Sequence, residues 1–149
     1  SIQTVILDAD VTNNNATLNT IADVTNLYVP VVTDNFYWFR FCVLYMAQAT
    51  STGSRWSVTT PAFNQFAVTS RYTLTATTNT LNNIIAGDVP SGVSATSLGN
   101  GTSTGNLMIL EGFILPSADG NVQLRFASEI ANSGITAKKG SKVDYQQLY

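Results

Sequence analysis

The segment Phe36 to Met46, FYWFRFCVLYM, constrains the fold more than any other stretch of the chain. Aromatic and β-branched residues fit a pleated sheet surface better than a helix. In a strand, alternate residues point to opposite faces. Phe36, Trp38, Arg40, Cys42, Leu44 and Met46 then share one face, and Tyr37, Phe39, Phe41, Val43 and Tyr45 share the other. Both sets are apolar, so the strand is expected to be covered on both sides. One side can face a sandwich core. The other needs a further partner, because a monomer rarely leaves a large apolar patch in water. A second subunit is the economical choice, with Phe36, Trp38, Phe39, Phe41, Tyr45, Arg40 and Glu111 as the expected oligomer interface. On that reading Phe39→Asp or Phe41→Asp yields monomer or aggregate.

The rest of the chain is interrupted by Gly, Asn, Thr and Ser at the spacing of short strands in a sandwich or barrel. Strands are expected at 1–7, 27–32, 36–46, 55–60, 66–78, 107–115, 122–129, 135–138 and 142–148. Pro30 points to an edge position or a bulge, since proline cannot donate to a ladder. Residues 79–98 are read as one helical turn or a loop, and Gly99 to Asn106 (GNGTSTGN) as a flexible loop. The Asp119-Gly120 pair favours a tight hairpin turn. These elements give one all-β domain over residues 1–149, with a short N-terminal arm of about ten residues. An antiparallel β-sandwich, a jelly roll of eight or nine strands, is the architecture that fits.

Hydrophobic residues make up 44% of the chain and charged residues only 11%, which excludes disorder. Polarity comes instead from 20 Thr, 14 Asn and 13 Ser. The net charge is −2 with no basic block, so no nucleic-acid partner is expected. No stretch approaches 18 uninterrupted apolar residues, and the N-terminus lacks the basic and apolar regions of an export signal. A chain with neither a membrane partner nor a leader is expected.

Catalysis has little to build on. The chain has no histidine, the commonest general base and metal ligand. Its single cysteine, Cys42, lies mid-strand among aromatics and is expected to be buried and inert. No nucleophile elbow or Ser-x-x-Lys pattern occurs, and Asp8 and Asp10 read as loop carboxylates. We therefore expect no enzyme activity and no cofactor. Glu111 interrupts the apolar run LMILEGFIL, and a buried carboxylate must be paired. Arg40 and Arg125 are the available partners, in a structural or intersubunit ion pair. Trp38, Trp56, Tyr37 and Tyr45 could form a sugar-stacking platform, although packing is the commoner fate of strand aromatics. The patterns Asn15-Ala16-Thr17 and Asn100-Gly101-Thr102 match a glycosylation acceptor at the level of chance.

Two stretches carry a resemblance. Residues 16–62 hold a Thr/Leu-rich lead, a short apolar strand, the aromatic strand, a Thr-rich turn, another strand and a proline. Residues 107–148 hold the apolar strand before Gly112, a turn with Gly120, VQLRFA, then ITAKKGS and a final strand. This order resembles small all-β structural proteins of tailed bacteriophages, namely head decoration or cement proteins and related tail or fibre modules. The resemblance implies a homotrimeric virion protein, assembled in the host cytoplasm, without catalytic residues. A decoration protein that bridges major capsid subunits is the leading expectation, since tail-tip domains usually end a longer fibre. The alternative is a receptor-binding tail or fibre module for a host surface glycan, using Trp56, Tyr72 and the 99–106 loop with Asn100.

Overall fold

A computed structural model describes residues 1–84 and 104–149. Eleven strands form among them, and no helix: β1 (Gln3–Ile6), β2 (Val11–Asn13), β3 (Ala22–Val31), β4 (Tyr37–Ala47), β5 (Ser54–Thr59), β6 (Phe63–Thr75), β7 (Thr78–Asn83), β8 (Asn106–Pro116), β9 (Gly120–Ser128), β10 (Ile135–Ala137) and β11 (Lys142–Gln147). The larger sheet has the order β1-β11-β4-β8-β6-β7, with β10 bridging β4 and β2. The smaller sheet has the order β3-β9-β5, and every pairing is antiparallel. Successive strands β3, β4, β5 and β6 alternate between the sheets, as in a jelly roll, while β6 and β7 extend the larger sheet beyond β8. The protein is thus an all-β antiparallel sandwich.

The core lies between the sheets. Tyr37, Phe39, Phe41, Val43 and Tyr45 of β4 point inward, into one cluster with Trp56 of β5 and Leu124 and Phe126 of β9. Pro30 sits on β3, an edge strand, where its missing N–H costs no ladder bond. The register of β3 on β9 shifts between Asp23 and Tyr28, and Asn26 adopts a left-handed backbone there (φ 70°).

Two elements exceed the expected eight or nine strands. β2 emerges within a polar loop because its backbone pairs with β10, and β7 because it pairs with β6. The rest of the 79–98 segment, beyond Ile84, lies outside the described residues. The Asp119-Gly120 turn does not close a hairpin: β8 belongs to the larger sheet and β9 to the smaller, so the turn carries the chain between layers. Asp119 holds it by accepting a hydrogen bond from the backbone N–H of Thr33 at 2.8 Å. Residues 3–6, expected in the N-terminal arm, pair with β11 as the edge strand β1.

Candidate functional site

The cross-strand register of the larger sheet sorts its side chains into rows. Opposite the core, one row runs Asp144, Arg40, Glu111, Thr69. A second runs Lys142, Cys42, Ile109, Arg71, and Trp38 with Phe113 and Leu44 with Leu107 form two more. Toward its two ends this outer face is apolar and open: Leu44 is 45% exposed, Leu107 54% and Phe113 43%. Phe113 stacks on Phe36 at 5.6 Å, and Phe36 stacks on Tyr149 at 5.1 Å, an aromatic ladder along one end of the face. Backbone hydrogen bonds between Phe36 and residues Leu148 and Tyr149 pin that ladder.

Glu111 is held in an unexpected way. Register places it opposite Arg40, yet no ion pair within 4 Å joins them. Its Oε2 instead accepts a hydrogen bond from Trp38 Nε1 at 2.9 Å. Arg125, the other expected partner, lies on the smaller sheet and pairs with Asp23 at 2.9 Å. Arg40 Nε is buried and has no hydrogen-bond partner among the described residues. Asp144, on the other side of Arg40, is occupied elsewhere: the Thr4 hydroxyl donates to it at 2.7 Å and Lys142 pairs with it at 3.1 Å. The Thr4 hydrogen bond first, then Lys142 and the charge of nearby Arg40, hold its carboxyl below the usual aspartate range. A cavity of about 170 Å³ opens beside this row, lined by Arg40, Thr69, Arg71, Leu81 and Glu111 among others.

Of the expected interface residues, Phe36, Trp38, Arg40 and Glu111 come together on the outer face. Phe39, Phe41 and Tyr45 do not. All three are fully buried between the sheets, so they are core residues and aspartate there would unfold the chain instead of separating subunits. The outer face is completed by Leu44, Leu107 and Phe113. Parity was the available signal, because residues an even number of positions from Arg40 or Glu111 share the face that carries the charges.

The aromatic candidates for ligand binding are also corrected. Trp56 is fully buried between Tyr45 at 5.0 Å and Phe126 at 5.2 Å, and its Nε1 donates to Ser54 Oγ at 2.9 Å. Tyr72 is equally buried, and that burial pushes its phenol far above the usual tyrosine range. Neither can stack on a sugar. Asn100 lies outside the described residues. Cys42, expected to be buried, is half-buried on the outer face between Lys142 and Ile109. Asp10 accepts hydrogen bonds from Lys138 Nζ at 2.8 Å and Lys139 N at 2.7 Å, which fixes the β10–β11 turn and holds its carboxyl below the usual range. Among the described residues no three Cys, Asp or Glu side chains cluster as a metal site would require.

No protein-family model matches the sequence, and no curated protein sequence matches it. Among solved structures, the chain is similar to Eiger TNF from S. frugiperda, with a TM-score of 0.40 and 9% identity over 99% of this chain and 93% of that one. It is also similar to VP2 of the infectious bursal disease virus subviral particle, with a TM-score of 0.27 and 7% identity. That match covers the whole of this chain and 38% of the viral one, so this chain spans well under half of VP2.

Proposed function

We propose that this chain is a non-enzymatic structural subunit of a virion, a decoration or cement protein that stabilises a bacteriophage head by bridging neighbouring major capsid subunits. The observation that carries the reading is the outer face of the larger sheet. Leu44, Leu107 and Phe113 stand open to solvent around a partly buried Glu111, and such a face is made to be covered. The sequence resemblance supplies the setting, an oligomer on a phage head. Repeated copies on a symmetric shell multiply weak contacts into firm attachment. The rival reading, a glycan-binding tail module, loses Trp56 and Tyr72 to the core.

The test is binding of the purified chain to empty phage capsids that lack it. Saturable binding with a rise in the capsids' thermal resistance is the expected result. Absence of binding, or a location at the tail in an image of the virion, refutes the proposal.

A further inference from the structure

We propose that a second copy of this chain covers the outer face of the larger sheet, seated about an axis that runs along the strands between β4 and β8. Arg40 of each copy then meets Glu111 of the partner subunit. The inference rests on the reading of the chain as an assembling subunit, and it names the surface and the contact.

The register argues for a second copy. Rotation about an axis parallel to the strands exchanges β4 and β8 while keeping each row at its own height. Every cross-strand pair on the outer face therefore lies against the same pair of the neighbour. Arg40 meets the partner's Glu111, Leu44 meets the partner's Leu107, and Trp38 meets the partner's Phe113. On the two central strands these contacts match in sign and polarity, as an interface between identical subunits requires, while farther out the exposed Lys142 meets the partner's Arg71 where solvent screens the two charges.

The charges argue the same way. Among the described residues Arg40 and Glu111 have no ion pair, and Arg40 Nε is already buried without a hydrogen-bond partner there. An acidic partner would satisfy only Arg40, and a basic one only Glu111. A second copy supplies both signs on one row. Size is adequate too. The 51 residues of the six strands, at about 3.3 Å per residue along strands about 4.8 Å apart, cover about 800 Å². One subunit contributes about 800 Å² to an interface of standard size.

The experiment is light scattering after size-exclusion chromatography of the full chain at micromolar concentration, with circular dichroism confirming that each variant is folded. The wild-type chain is expected at twice its 16.0 kDa mass, a mass of three times overturning the two-fold contact, and Leu107→Lys at 16.0 kDa with an unchanged spectrum. Arg40→Glu and Glu111→Arg are each expected to associate at least tenfold more weakly. An equimolar mixture of the two recovers assembly, since each supplies the sign the other lacks. If Arg40 and Glu111 serve each other within one chain, mixing recovers nothing, and that result overturns the contact. A Leu107→Lys chain that still assembles overturns the surface. A monomeric wild-type chain also overturns the proposal, and if that monomer still binds empty capsids, the decoration reading stands without it.

Discussion

Replacing Phe41 with Ala removes a ring that is fully buried, packed edge-on to Phe39 at 6.0 Å and flanked across β4 by Val143 and Leu110. The strands on both sides are hydrogen-bonded, so the site cannot collapse and a cavity remains. Such truncations cost about 3–5 kcal/mol. For a domain of this size each kcal/mol lowers the melting temperature by about 2–4 °C, which gives a drop of about 6–20 °C. Leu107→Ala is the matched control on the opposite face of the same sheet. Leu107 is 54% exposed, so folding removes less than half of its area from water. Full burial of a Leu side chain is worth about 1.5–3 kcal/mol, and this truncation therefore costs about 1 kcal/mol in the single chain. Urea unfolding at two protein concentrations a hundredfold apart separates the two faces. The Phe41→Ala loss is the same at both concentrations, whereas the Leu107→Ala loss grows with concentration as association begins to stabilise the wild type. A Leu107→Ala loss that equals the Phe41→Ala loss at the lower concentration would show that the two faces are assigned the wrong way round.

Two further outcomes are expected. Gly112→Ala would drive a methyl group into the Ala67 carbonyl and the Val68 side chain on β6, and urea titration should show a loss of about 3 kcal/mol or more, because backbone cannot move aside as a flexible side chain can. Asp144 has a lowered folded pKa, so its contribution is present above about pH 4, the unfolded value, and fades as pH falls through the folded one. Asp144→Asn should therefore lower the urea midpoint at pH 7 and leave it unchanged near pH 2. The difference should stay under about 1 kcal/mol, because the pair lies near the surface and is screened. A difference that persists in acid would refute that role.

Much of the fold is legible in the sequence because the long strands are continuous apolar runs. β4, β8 and β9 fall within about two residues of where FYWFRFCVLYM, LMILEGFIL and VQLRF place them. The short polar strands are not legible: VTN and TNTLNN become β2 and β7 only because neighbouring backbones accept them. Turn chemistry has a similar limit. Asp119-Gly120 fixes the backbone conformation, but the sheet that receives the next strand is a global property. The candidate site was half visible. A strand apolar on both sides announces an outer partner without saying which side is outer, and hydrophobicity alone ranks Phe41 above Leu44. Arg40 and Glu111 decide the matter, since in a sandwich a charged side chain avoids the layer between the sheets.

The position of Cys42 has a practical consequence. The chain holds one thiol, and β4 delivers it half-exposed to the middle of the outer face, opposite Ile109 and one row from Arg40. A thiol-directed label therefore has a single attachment point, inside the contact area and away from the core. Its rate of reaction reports the fraction of faces that stand open at any moment, and a bulky adduct acts as a wedge. The molecule thus carries its own occupancy meter, readable in solution without any substitution.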